Sequence, residues 1–272
     1  MSDITVVTTF HKKGLDQYGQ RFLDSFSKEV SGKINLMVYA EDCIPNVDAS
    51  NITVLDQKQN LPKLVEFKKR WKDVPKANGK CPWPERRPRD HHKEFKWDAI
   101  RFANKVYAVF DAASRCNTKW IVWMDADSFI HSPWDYKQFK QFLPDRAWMS
   151  YLGRGKKWPE CGFYGINLHN QIGLDFLKEF EHVYEHAEYG IFRMEEWHDS
   201  FVFEEVRKKI AESNPNGKIH NISGNIINGE GHPVINSDLG KYMDHLKGDR
   251  KEIGKSNKPN DLRVKRTEAY WQ

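Results

Sequence analysis

The sequence predicts an α/β domain with a partly parallel sheet, and three observations lead to that class. Apolar runs of strand length alternate with longer amphipathic stretches of helix length. The chain opens with a strand, a helix and a second strand, a unit that sets two strands parallel. Residues 119–130 (KWIVWMDADSFI) form an apolar run rich in Trp, Ile and Val that ends in two carboxylates one residue apart, Asp125 and Asp127.

Residues 4–9 are β-branched and read as the first strand, ending at Thr8, Thr9, Phe10 and His11. Leu15, Tyr18, Phe22, Phe26 and Val30 recur at helical spacing and predict the first helix. Residues 34–40 and 52–55 supply the next two strands, the first of them leading into Glu41 and Asp42. Residues 57–92 hold five prolines and eleven Lys or Arg against four acids, a balance of +7, and read as an irregular basic flap near the site. Residues 93–115 follow as an amphipathic helix, with Lys96, Arg101 and Lys105 off its apolar stripe. Beyond the carboxylate pair, a short helix to about 142, strands at 148–152 and 160–168, and helices at 172–189 and from 198 are expected. A basic turn at 153–157 separates those strands. Short strands are expected near 218–222 and 233–236. Residues 1–251 are taken as one domain, and 252–272 as a polar, basic and loosely ordered tail.

Composition limits the partners. A net charge of +5 favours anionic ligands such as nucleotides without demanding nucleic acid, which is not expected as a partner. The four cysteines are scattered, with no C-x-x-C pair, and suit a reducing compartment. The sequence has no signal-like start and no apolar run near the ~20 residues of a membrane span, so a cytoplasmic protein is expected.

Ligands of open α/β sheets sit at the carboxyl ends of the strands, where Asp125 and Asp127 fall. Two oxygen ligands at i and i+2 suit a hard divalent cation such as Mg²⁺ or Mn²⁺, which neutralises a diphosphate. The end of the first strand faces the same edge, so Thr8, Thr9 and Phe10 are candidate nucleotide contacts, with Tyr39 and Asp42 leaving the next strand beside them. One of Lys96, Arg101 and Lys105 is expected to reach the donor phosphates or sugar, with Arg101 taken as the candidate. No G-x-G-x-x-G follows the first strand, which argues against a dinucleotide fold. Asp199, in His198-Asp199-Ser200, is either a helix cap or a functional acid.

Three landmarks in order resemble GT-A glycosyltransferases of the glycogenin and bacterial galactosyltransferase type. They are Asp125-Ala126-Asp127, the small-residue strand 162–167 followed by His198-Asp199-Ser200, and His245-Leu246-Lys247-Gly248-Asp249-Arg250-Lys251, an H-x-x-G-x-x-K pattern. The resemblance implies a single GT-A domain on a mixed, mostly parallel sheet. It implies a UDP-hexose donor, such as UDP-glucose or UDP-galactose, and a hydroxyl acceptor of unstated identity. It implies that Asp125, Asp127 and His245 bind the metal, the histidine tilting the choice towards Mn²⁺. It further implies donor contacts from Ala126 and Gly248, and a charge from Lys251 on the departing diphosphate. Asp199 becomes the base of an inverting reaction or a donor-sugar contact in a retaining one. The family usually has Asp-Gln-Asp where this chain has His198-Asp199-Ser200. Two other readings stand beside it: a haloacid-dehalogenase-type phosphatase with Asp125 as nucleophile, and a non-catalytic nucleotide- or glycan-binding module.

Overall fold

The computed structural model describes residues 2–155, 157–224 and 232–272. The chain begins with β1 (Ile4–His11), the single turn α1 (Lys12–Gly14), a π turn over Leu15–Gly19, and α2 (Gln20–Glu29). Then come β2 (Asn35–Glu41), β3 (Ile52–Asp56), α3 (Gln57–Asn60), α4 (Pro62–Trp71) and α5 (Ala99–Arg115). The middle holds β4 (Trp120–Met124), β5 (Ser128–Ile130), α6 (Tyr136–Lys140), β6 (Ala147–Arg154), β7 (Lys157–Asn167) and α7 (Gln171–Glu185). The chain closes with α8 (Asp199–Ser213), β8 (Lys218–Asn221), α9 (Pro233–Asn236), β9 (Met243–His245) and α10 (Arg250–Ile253).

Among the described residues, seven strands form a mixed sheet in the order β3-β2-β1-β4-β7-β6-β8. β3, β2, β1 and β4 run parallel, as do β6 and β8, while β7 is antiparallel to both neighbours. Helices cover both faces, and β4 shows why its sequence is continuously apolar. Ile121 and Trp123 enter one core, Trp120, Val122 and Met124 the other, and all five are buried. One core gathers α4, α5, α7 and α8 around Trp97, Tyr107, Phe180 and Phe203. The other packs α2 and α6 around Phe22, Trp134, Phe139 and Phe163.

Four expected stretches differ. Residues 57–92 are not irregular throughout. Pro62 occupies the first turn of α4, where a missing N–H costs nothing, and Leu64, Phe67 and Trp71 form a buried stripe. The helix expected from 93 begins at Ala99, because the Asp98 side chain accepts the Arg101 N–H at 3.0 Å and caps it there. Residues 233–236 form a helical turn opened by Pro233, not a strand. The tail also packs: Ser256 and Asp261 are buried, and Tyr270 stacks on His131 with ring centroids 4.2 Å apart. Lys156, in the expected basic turn, lies outside the described residues.

Phe67 joins α4 to the core, with its ring centroid 5.8 Å from Tyr107 and 5.9 Å from Tyr184. Phe67→Ala is expected to lower unfolding stability by about 3–5 kcal/mol in urea titration. A loss under about 1 kcal/mol would mean that α4 is not part of the folded core.

Candidate functional site

The parallel strands end at one edge, and β4 delivers Asp125 there. The Asp125 N–H donates to the Gly162 carbonyl at 2.9 Å, so β7 fixes the start of the acidic turn. After that turn β5 pairs with β9, setting Ser128 opposite His245, and the Leu246 N–H donates to the Asp127 carbonyl at 2.8 Å. Two residues more than a hundred positions apart are thereby brought together. His245 Nε2 lies 3.0 Å from Asp127 Oδ1 and 3.3 Å from Asp125 Oδ2. Its imidazole approaches Gly162 so closely that an added Cβ would collide with Cε1 and Nδ1.

The donor set fits a divalent cation. Among the described residues, neither ring nitrogen of the fully buried His245 makes a well-aligned hydrogen bond, although Nε2 lies close to both carboxylates. One nitrogen and two carboxylate oxygens, each within 4.8 Å of the others, suit Mn²⁺ or Mg²⁺. Burial pushes the His245 pKa down, but the Asp127 and Asp125 charges outweigh it and raise it to about 9. Binding a cation there would therefore displace a proton.

Cations already surround the acids. Lys105 Nζ lies 3.2 Å from Asp125 Oδ1 and 2.8 Å from Asp199 Oδ2, and it donates to the Cys161 carbonyl. Burial opposes the Lys105 charge, but Asp125 and Asp199 outweigh burial and push its pKa up. The Trp123 indole N–H donates to Asp125 Oδ1 at 2.6 Å. Lys251 Nζ lies 2.9 Å from Asp127 Oδ2 and 4.6 Å from the centre of the Tyr18 ring. Gly248 has φ +62° with open space beside it, so a side chain there is disfavoured by backbone strain and not by crowding.

These groups line a cleft of about 920 Å³, near the upper end for ligand sites. Of the residues expected from the sequence, Thr9, Phe10 and Arg101 line it, as do Asp125, Ala126 and Asp127, and Asp199, His245, Gly248 and Lys251. Three others do not. Thr8 is buried in β1, outside the cleft lining. The Tyr39 side chain turns into the helical layer, where its hydroxyl donates to Asp111 Oδ2 at 2.6 Å. Asp42 is in the left-handed region at φ 54° and pairs with Lys58 at 2.7 Å on the surface.

Asp199 is not the cap of α8. His198 takes that place, accepting the Phe201 N–H at Nδ1, which leaves the Asp199 carboxylate to face Lys105. Sequence reading singled out neither Glu160 nor Tyr18 nor Trp158, which also line the cleft. Helical spacing offers a signal for one residue it underweighted. Lys105 follows Arg101 by four, on the same side of α5.

Two outcomes follow from this geometry. Gly162→Ala is expected to displace the imidazole and weaken Mn²⁺ binding by about tenfold or more in calorimetry. Unchanged affinity would contradict the close approach. Burial pushes the Glu160 pKa up, but the Lys247 ammonium at 2.5 Å outweighs it and holds the carboxyl at about 2. That value is below the ordinary 4.5, so the pair's contribution is complete above about pH 4.5 and is lost as pH falls towards 2. Acid unfolding of Glu160→Gln should therefore be less steep over that interval than wild type. Parallel curves would contradict the pairing.

No protein-family model matches the chain, and no curated protein matches it. Among solved structures the chain is similar to the crystal structure of mouse xyloside xylosyltransferase 1 in its apo form, with a TM-score of 0.45 and 10% identity over 81% of this chain and 85% of that one.

Proposed function

We propose that the protein is a metal-dependent glycosyltransferase that moves a hexose from a nucleotide sugar to a hydroxyl acceptor. The observation that carries this is the convergence of Asp125, Asp127 and His245, with Lys251 and Gly248 from the same C-terminal segment lining the cleft. Asp125, Asp127 and His245 would hold the cation, which when bound neutralises a diphosphate and stabilises it as a leaving group. Lys251 adds a positive charge on the same side. Gly248 lets the main chain come close to the phosphates. Thr9, Phe10 and Tyr18 also line the cleft and are the side chains we assign to the nucleoside. Uridine is the base implied by the motif resemblance.

In the reaction the acceptor oxygen forms a bond to the anomeric carbon while the bond from that carbon to the phosphate oxygen breaks. The electron pair leaves with the diphosphate, and the acceptor proton passes to a base. We assign Asp199 that role or the holding of the sugar, a reading supported by the Lys105 ammonium that pairs with both Asp199 and Asp125. A phosphatase using Asp125 as nucleophile is less well supported. Asp125 Oδ1 already faces both Trp123 Nε1 and Lys105, and Oδ2 faces His245. Four free cysteines fit the cytoplasmic setting we propose. Among the described residues, no helix is long and apolar enough to cross a membrane.

Thermal-shift measurements with UDP-glucose and UDP-galactose should show stabilisation only when Mn²⁺ is present, and Asp127→Ala should abolish it. Equal stabilisation in chelator would contradict the reading. Asp199→Asn is expected to reduce turnover by roughly 10²–10⁴-fold while the metal-dependent shift remains.

A further inference from the structure

Beyond the acidic centre the cleft changes character. At the far side of Asp199, three separate segments bring aromatic rings around the buried His198 imidazole. Trp158, at the start of β7, has its ring centroid 4.8 Å from the imidazole. Phe95, from the turn before α5, lies at 5.6 Å, and Phe102, in the first turn of α5, at 6.1 Å. All three line the cleft, and Phe95 is 42% exposed. His198 is held from behind, its Nε2 lying 3.0 Å from Glu196 Oε2. The imidazole at the centre of the shelf is thus fixed by a buried polar pair, and the rings around it reach the cavity wall, with Lys96 Nζ 5.1 Å from the centre of the Trp158 ring and Arg101 5.7 Å from that of Phe102 covering part of their surface.

We infer that this shelf is the acceptor subsite of the transferase proposed above, and that it takes a saccharide whose ring stacks on Phe95, Phe102 and Trp158. The inference rests on that functional reading for its place in the reaction, but its binding claim stands separately. A pyranose has an apolar C–H face that packs on aromatic rings and an equatorial rim of hydroxyls that seek polar partners. The cleft supplies both, since Ser200 and Asp199 lie on its wall next to the shelf. A hydroxyl projecting from a stacked ring towards Asp199 would lie on the side where the donor sugar is expected.

Single-stranded nucleic acid also stacks on aromatic shelves, but it needs cations that seek phosphate. Here the cations behind the shelf are committed to acids. Lys96 is buried between Asp90 at 2.6 Å and Glu196 at 2.8 Å. Arg87 pairs with Glu195 at 2.8 Å and Glu196 at 3.3 Å. A polyanion would find the Lys96 and Arg87 charges already neutralised. Arg101, 5.7 Å from the centre of the Phe102 ring, is a cation on the cleft wall that it could still use, so an oligonucleotide probe decides between the two. An uncharged saccharide requires none of these charges.

Saturation-transfer NMR on the full chain tests the inference, with maltotriose, cellotriose and methyl hexopyranosides as probes. An oligothymidylate and a tyrosine-containing peptide serve as competitors in kind. At least one saccharide at millimolar concentration should receive saturation at its ring C–H protons. The signal should be lost in the Phe95→Ala/Trp158→Ala double variant and partly restored in Phe95→Ala/Trp158→Phe, which keeps a ring at 158. A melting curve reports that each variant folds. No response from any saccharide, a response that survives in the double variant, or a response only from the oligonucleotide or the peptide would each overturn the inference. If saccharide binding follows the shelf while UDP-sugars give no metal-dependent stabilisation, the glycosyltransferase reading fails and the saccharide site remains.

Discussion

The site depends on a strand pairing only three residues long. β5 and β9 form their own two-stranded sheet, and without it His245 would have no fixed relation to Asp125 and Asp127. A two-stranded pair of this length is marginal in water, so its stability has to come from what packs around it. Asp244 supplies much of that support. Its Oδ1 accepts the His245 N–H at 2.7 Å, and its Oδ2 accepts the Ser256 N–H at 2.7 Å and the Tyr270 hydroxyl at 2.8 Å. His232 Nε2 approaches the His245 carbonyl at 2.6 Å. The C-terminal residues therefore act as a strap over the strand that presents the imidazole, which explains why a polar tail packs against the domain.

The same region shows how two partly buried carboxylates are tolerated one residue apart. Leaving a buried charge without a partner costs several kcal/mol. Here Lys105 faces Asp125, Lys251 faces Asp127, and the imidazole lies between them. Burial pushes both carboxyl pKa values up, but Lys105 and His245 at Asp125, and His245 at Asp127, outweigh it and hold them below the usual range. The acids are thus kept ionised, the form in which they can act as ligands. Lys105 also couples this centre to Asp199, so the acid on α8 and the acids after β4 are held as one unit.

How much of this the sequence discloses depends on the length of the signal. The β4 run is buried on both sides, so it is apolar at every position and plain to read, and the acids follow at its carboxyl end. β5 and β9 are too short for periodicity to reveal, and only the spacing of His245, Gly248 and Lys251 pointed to that segment. Tyr39 misled because its strand does reach the right edge. In the register Thr9 stands beside Tyr39, yet the tyrosine hydroxyl finds Asp111 within the helical layer. The basic excess of 57–92 also misled, since composition does not show partners. Lys63 pairs with Glu181, Lys68 with Glu41 and Arg70 with Glu188, so part of that charge joins elements together instead of awaiting a ligand. The aromatic shelf is drawn from positions 95, 102 and 158, and no local pattern links them.

The most direct measurement is a titration of the purified chain with Mn²⁺, followed by electron paramagnetic resonance of the free ion. One ion should bind per chain, and His245→Ala should weaken it by about tenfold or more while the protein remains folded. Full-strength binding in His245→Ala, or binding untouched by Asp125→Ala and Asp127→Ala together, would contradict a centre built from these three side chains.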